Sequence, residues 1–226
     1  MALCIIPARG GSKRLPNKNI LPFKKKPMIS NVIDNVIRSG VFDDVVVSSD
    51  SDEILDISES AGAKKYKRED SIAQDTSTVV DVCLDLLKHY QTKTFCCIYP
   101  TAVLFSSETI IKSFDTFQRY GEAEASVLMG VARYNYHPAQ ALIQDEIGNW
   151  RMLLPDFLGI QSQKYPEARV SSGTFYWARS ETFICEKTFY SKKLKVFDLG
   201  LDEALDIDTS SDYRNLIEKH DTNWSA

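Results

Sequence analysis

Leu3-Cys4-Ile5-Ile6 runs directly into Pro7-Ala8-Arg9-Gly10-Gly11-Ser12-Lys13-Arg14-Leu15-Pro16-Asn17-Lys18-Asn19, and beyond Met28-Ile29-Ser30-Asn31-Val32-Ile33-Asp34-Asn35-Val36-Ile37 the chain reaches Val45-Val46-Val47-Ser48-Ser49. The first four residues read as a short buried strand, and the Gly/Pro/basic stretch after them as a loop. A helix begins near Pro27, whose fixed φ suits a first helical position. Met28, Ile29, Val32, Ile33, Val36 and Ile37 then recur at helical spacing, and Gly40 is placed to end the helix. A second β-rich run at 45–49 completes a βαβ unit, the building block of a parallel sheet.

Working outward, the alternation continues. Helices are predicted near 51–60, 78–89 and 107–120, with strands near 63–66, 95–99 and 125–133. Strands that alternate with helices in this way predict an α/β fold, a mostly parallel, Rossmann-like sheet with helices on both faces. In such sheets ligands bind beyond the carboxyl ends of the strands. Between 134 and 172 the rhythm changes: 139–144, the turn at Gly148-Asn149 and 150–154 read as a β-hairpin. That insert is expected to serve as a dimerisation or substrate arm on a single domain spanning 1–226. The α/β pattern resumes with strands at 174–178 and 204–207 and a closing helix at 210–219.

Composition bounds the function. A chain of 226 residues that is 43% hydrophobic and 26% charged has the makings of a folded core. The net charge of −4 argues against general affinity for nucleic acid, yet the first 26 residues carry Arg9, Lys13, Arg14, Lys18, Lys24, Lys25 and Lys26 with no acid. A local cationic site on an acidic protein suits a small polyanion. The five cysteines are odd in number and mostly lie in apolar runs such as Phe95-Cys96-Cys97-Ile98, which fits buried thiols in a reducing compartment. No apolar run approaches the roughly 20 residues that span a bilayer, and the opening residues lack a basic leader. A cytoplasmic location without a membrane partner is expected.

Two motifs carry chemistry. In the first loop, Gly10 and Gly11 let backbone N–H groups approach an anion, while Arg9, Lys13 and Lys18 supply charge-assisted bonds to phosphate oxygens. The loop fits neither G-x-x-x-x-G-K-[ST] nor G-x-G-x-x-G. The second motif is Leu205-Asp206-Ile207-Asp208-Thr209. On a strand end, Asp206 and Asp208 share one face, and two carboxylates are hard oxygen ligands suited to Mg²⁺ held with substrate phosphates. Asp208 or Thr209 equally suits the cap of the last helix. His89, His137 and His220 are scattered and suggest no zinc site.

The opening residues 5–19, Asp43-Asp44-Val45-Val46-Val47-Ser48-Ser49-Asp50, Tyr99-Pro100-Thr101 and Asp206-Ile207-Asp208-Thr209 together resemble the acylneuraminate cytidylyltransferase family, in order and spacing along nearly the whole chain. The resemblance implies attack by a nine-carbon acidic keto-sugar on CTP, with Mg²⁺, to give the CMP-sugar and pyrophosphate. It implies nucleotide contacts from Ala8, Arg9, Gly10, Gly11, Ser12, Lys13, Lys18, Asn19 and Arg68. Catalytic roles would fall to Arg9, Lys18 and Asp208, and metal binding to Asp206 and Asp208. His137-Pro138 resembles the pair that begins the family's substrate-side and dimerisation segment, so the resemblance points to Tyr99, Tyr136 and His137 on the sugar side and to a homodimer. Tyr136 also fits ordinary hairpin packing.

Tyr99 stands where sialic-acid activating members commonly have glutamine, and 97–102 with 174–177 look like the pseudaminic branch. Gln161-Ser162-Gln163-Lys164 and Val170-Ser171-Ser172-Gly173 depart from that branch. Two rival readings are a nucleotidyltransferase acting on a sugar 1-phosphate, and a nucleotide-binding module without turnover.

Overall fold

Alternation along the first strand, β1 (Ala2–Pro7), sends Ala2, Cys4 and Ile6 into one apolar cluster and Leu3 and Ile5 into another. A strand buried on both faces in this way must lie inside a sheet covered on both sides. The computed structural model describes residues 2–69, 71–72 and 76–220. After β1 come a small hairpin of β2 (Pro22–Phe23) and β3 (Lys26–Pro27), α1 (Met28–Ser39), β4 (Asp44–Ser49), α2 (Asp52–Ser60), β5 (Lys64–Lys67), α3 (Val79–His89) and β6 (Thr94–Ile98). The chain continues through α4 (Ser107–Arg119), β7 (Val127–Arg133), the hairpin β8 (Leu142–Gln144) and β9 (Trp150–Met152), β10 (Arg169–Arg179), α5 (Ser180–Glu186), β11 (Leu194–Asp198) and α6 (Ser210–His220).

The main sheet has the order β11-β7-β10-β6-β1-β4-β5. Pairings β1/β4, β1/β6, β4/β5 and β7/β11 are parallel, whereas β10 runs antiparallel to both β6 and β7. The expected mostly parallel sheet is therefore present, with β10 as its one reversed strand. Helices α1, α2, α4 and α6 cover one face, through Ile33, Ile54, Phe117 and Leu216, while Val82 and Leu86 of α3 and Phe183 of α5 cover the other. No helix among the described residues is long and apolar enough to cross a membrane.

Three expectations change. Pro27 is extended (φ −53°, ψ 142°), so the helix starts at Met28, and Gly40 ends it in the left-handed region at φ 66°. Residues 204–207 form no strand; they belong to an irregular segment, 199–209, and the edge position beside β7 is taken by β11. With Lys192 and Lys193 just before it, Lys195 within it and Asp198 at its end, β11 shows no long apolar run in the sequence, and an edge strand has little need of one. The insert is also shorter than 134–172, because 169–172 join the sheet: Arg169, Val170 and Ser171 pair with Arg133, Ala132 and Val131. Between Ser171 and Tyr176 the register of β10 slips, and Gly173 at φ +65° occupies that bulge.

Candidate functional site

Strand order reverses at β1: the chain steps from β1 to β4 and β5 on one side and to β6 on the other. Loops after β1 and β6 therefore diverge at their carboxyl ends and leave a crevice, the place where sheets of this kind take ligands. A cavity of about 380 Å³ lies there. Its walls come from the loop after β1 (Arg9, Ser12, Lys13, Arg14, Lys18, Asn19), from Arg68 after β5, from Ser77, Thr78, Val79 and Val82 at the start of α3, from Tyr99, Pro100 and Thr101 after β6, and from Asp208.

The loop after β1 is shaped by local bonds. Ala8 is buried and its N–H donates to the Ser48 carbonyl at 2.9 Å; the Gly10 N–H donates to Asp50 Oδ1 at 2.7 Å. A Cβ on Gly10 would come within 3.1 Å of Ser51 Cβ, so glycine there permits close approach of the β4 loop, whereas Gly11 opens onto free space. The expectation that both glycine amides reach an anion is thus modified: Gly10 binds the protein itself. Asn17 turns the chain through the left-handed region (φ 55°) and sets Lys18 at the head of a short 3-10 turn. Asn19, only 3% exposed, donates Nδ2–H to the Arg9 carbonyl at 2.8 Å, and its Oδ1 is a buried acceptor without a hydrogen-bond partner.

Across the cavity Lys18 Nζ lies 2.9 Å from Asp208 Oδ1, and the Arg14 guanidinium bonds to the other Asp208 oxygen. Burial pushes the Asp208 pKa up, but the Lys18 hydrogen bond and the charges of Lys18 and Arg14 outweigh it and hold the carboxyl below its ordinary value. Asp206 behaves oppositely. Desolvation first, and the neighbouring Asp208 carboxylate second, raise its pKa despite Lys18. Arg68 is buried and grips Ser48 through Nε–H to Oγ (3.0 Å) and a second N–H to the carbonyl (2.9 Å); burial lowers its pKa, against the attraction of Asp50.

The alternative role for the acidic motif is decided by α6. Asp212 Oδ2 accepts from the N–H groups of Asp208 (3.1 Å) and Thr209 (2.7 Å) and from Thr209 Oγ1 (2.8 Å), while Thr209 Oγ1 accepts from the Asp212 N–H. Thr209 and Asp212 cap the helix reciprocally, which leaves both Asp208 carboxylate oxygens to the cavity. Ile207 between the two acids is buried. Two carboxylates carried on one anchored turn fit Mg²⁺, which takes one or two protein carboxylates and completes its shell with substrate phosphates and water.

Of the residues singled out in the sequence, Arg9, Ser12, Lys13, Lys18, Asn19, Arg68, Tyr99 and Asp208 line the cavity. Asp206 adjoins it, for a Cβ on Gly173 would lie 3.5 Å from the Tyr99 ring and 3.9 Å from Asp206 Oδ2. Ala8, Gly10 and Gly11 shape the loop behind the wall. Tyr136 and His137 stand apart: Tyr136 is 84% exposed, and His137 accepts the Ala139 N–H on Nδ1, which leaves Nε2–H to donate to the Pro166 carbonyl at 2.8 Å. Missed in the sequence were Arg14 as a partner of Asp208, and Ser77 and Thr78 at the start of α3. The Thr78/Asp81 capping box was the available signal, with bonds of 2.7 Å and 3.2 Å between side chains and backbone.

The family model for cytidylyltransferases matches residues 3–217. A pseudaminic acid cytidylyltransferase of Campylobacter jejuni is 32% identical over 216 residues, covering 93% of this chain and 92% of its own. A CMP-N,N'-diacetyllegionaminic acid synthase of Legionella pneumophila is 32% identical over 227 residues, with 96% and 94% covered. Among solved structures, a CMP:2-keto-3-deoxy-manno-octonic acid synthetase complexed with CTP superposes with a TM-score of 0.70 over 95% of this chain and 96% of its own, at 14% identity, a likeness of fold.

Proposed function

The chain belongs to the cytidylyltransferase family, and from that membership we propose that it couples CTP to a nine-carbon acidic keto-sugar of the pseudaminic, legionaminic or sialic type. The products are the CMP-sugar and pyrophosphate. One observation carries the reading: at the switch point of the sheet, Lys18 and Arg14 face Asp208 across a cavity also lined by Arg9, Lys13 and Arg68. Five cations around one acidic pair form a triphosphate site with an oxygen-ligand pair beside it. The relatives from Campylobacter and Legionella support the sugar class through what their names state.

In the reaction the anomeric hydroxyl oxygen of the sugar forms a bond to the α-phosphorus, the bond from that phosphorus to the α,β-bridging oxygen breaks, and the hydroxyl proton passes to water. Arg9, Lys13 and Lys18 hold the triphosphate in line, and Lys18 offsets the charge that grows on the departing pyrophosphate. Tyr99 borders the sugar side, next to Asp206. Asp206 and Asp208 would hold Mg²⁺, which when bound polarises the α-phosphoryl group. Arg68, fixed on Ser48, is a preset cation for the nucleotide.

Pyrophosphate release from CTP, UTP, GTP and ATP with sialic, pseudaminic, legionaminic and eight-carbon keto-acid sugars tests the proposal. Release with CTP and a nine-carbon sugar is expected. With a sugar 1-phosphate added to the panel, its turnover with UTP or GTP would favour the rival nucleotidyltransferase, and pyrophosphate release with none of the keto-acid sugars would sink the proposal.

The arm at 134–168 extends the same reading to a homodimer. Tyr136, Leu142, Ile147, Trp150 and Leu158 are all exposed on it. A two-stranded hairpin with open apolar side chains is stable when a second surface covers it, and a symmetric copy is the commonest such surface. Tyr136 and His137 would then serve the sugar pocket of the partner subunit.

A further inference from the structure

The carboxylates of Asp206 and Asp208 lie on residues 199–209, which belong to no helix or strand. Two carboxylates two residues apart repel one another, and no sheet ladder resists that repulsion. Something else must hold the pair together. One end is set by Asp212, through the bonds to Asp208 and Thr209 already described. The other end is set by Glu203. Its Oε1 accepts from Thr109 Oγ1 at 2.6 Å and from the Ser106 N–H at 3.2 Å, both at the amino end of α4, where the free amides and the helix dipole favour a carboxylate. Its backbone carbonyl accepts from Thr174 Oγ1 at 3.2 Å, and Thr174 lies next to Gly173 in the β10 bulge that faces Asp206 and Tyr99. Glu203 thus ties the acidic segment to two elements that are themselves fixed in the core, through Ile110 of α4 and Phe175 of β10.

We propose that Glu203 is a positioning residue for the Asp206/Asp208 pair: by clamping the segment to α4 and β10 it sets the geometry in which the two carboxylates bind a divalent cation. The proposal rests on the reading of that pair as the metal site. Glu203 lies three residues before Asp206, and no cation stands in its bonds to α4, so its part is separate from the Lys18 and Arg14 contacts.

The test compares Glu203→Ala, Glu203→Gln, Thr109→Val and Asp208→Asn in the full chain. Three quantities are read: Mn²⁺ binding from the electron paramagnetic resonance signal of the free ion, the Mg²⁺ dependence of pyrophosphate release, and the melting temperature. Glu203→Ala is expected to weaken Mn²⁺ binding and raise the half-saturating Mg²⁺ concentration about tenfold, the scale seen when a group that orients a metal ligand is lost, with KM for CTP little changed. Glu203→Gln keeps the Oε1 acceptor and should restore most of the affinity. Thr109→Val removes the strongest of the two bonds from the opposite side and should reproduce part of the loss, which keeps the test open if Glu203→Ala does not fold. Wild-type metal affinity in both Glu203→Ala and Thr109→Val, with Asp208→Asn impaired, would overturn the positioning role alone, whatever the melting temperatures. Unchanged metal affinity in Asp208→Asn would overturn the metal site itself and the positioning role with it.

Discussion

Lys18 bonds Asp208 at 2.9 Å, and in the proposed reaction it also faces the α-phosphoryl group. A single point charge held between two anions acts most strongly where negative charge is growing, which happens only in the transition state. Lys18→Ala is therefore expected to lower kcat by about 100-fold or more, the scale of losing one charge-stabilising donor, while KM for CTP changes much less. Steady-state kinetics over a range of CTP concentrations checks this; a raised KM with unchanged kcat would reduce Lys18 to ground-state binding. Most of the cavity's cationic lining was legible in the sequence because one short loop carries Arg9, Lys13 and Lys18. Glu203 was not, since nothing within a few residues of it hints at a bond to Ser106 or Thr109 across a separation of 97 or 94 residues.

Where β7 meets β10, a glycine inside a strand marks a place where another chain segment comes close. A Cβ on Gly130 would sit 2.8 Å from two carbons of the Phe175 ring, which is stacked on Phe105 at 4.8 Å between centroids and has no room to retreat. Gly130→Ala is expected to destabilise the fold by about 1–3 kcal/mol, the usual range for overpacking, readable as a lower urea midpoint. The junction of β5 and α3 carries a pH-dependent tie. Tyr66 donates its hydroxyl to Asp85 at 2.6 Å, and Lys88 bonds the other oxygen at 3.1 Å. Burial pushes the Asp85 pKa up, but these two partners outweigh it and hold the group below its ordinary value. A carboxyl depressed in the folded state contributes stability that is present above its unfolded pKa of about 4 and is lost as the pH falls through the folded value. Asp85→Asn should thus lower stability at neutral pH and converge on the parent in acid. Urea unfolding at pH 7 and pH 3 measures the difference, and an equal gap at both would exclude the tie.

At the scale of the whole molecule, the proposed homodimer is tested at the arm. Trp150 is 62% exposed on β9, so Trp150→Glu puts a charge on the face proposed to be covered by a second copy without disturbing the sheet. The parent is expected to sediment as a dimer and the variant to shift toward monomer, with CTP binding retained because the nucleotide cavity is built from one chain. A parent that is monomeric at micromolar concentration would remove the dimer. Mixed refolding of an Asp208→Asn chain with a Tyr136→Ala, His137→Ala chain adds the functional side: partial return of activity is expected if the arm completes the neighbour's sugar pocket.

By itself the sequence determined the alternation of strands and helices, the strand that feeds the cationic loop, and the acidic motif near the end of the chain. These are local properties: period-two and period-3.6 burial, glycine and proline at turns, and charges a few residues apart. Tertiary structure alone decided that β10 enters the sheet reversed and starts at Arg169, because Ser171-Ser172-Gly173 break the apolar run that a strand shows in sequence while the bulge they form is held by neighbours on both sides. It alone decided that Asp208 faces Lys18 and Arg14 and leaves the capping of α6 to Thr209. An acid before a helix suits either task equally well, and the choice falls to partners that only folding brings within a hydrogen-bond length, 190 and 194 residues away in the chain.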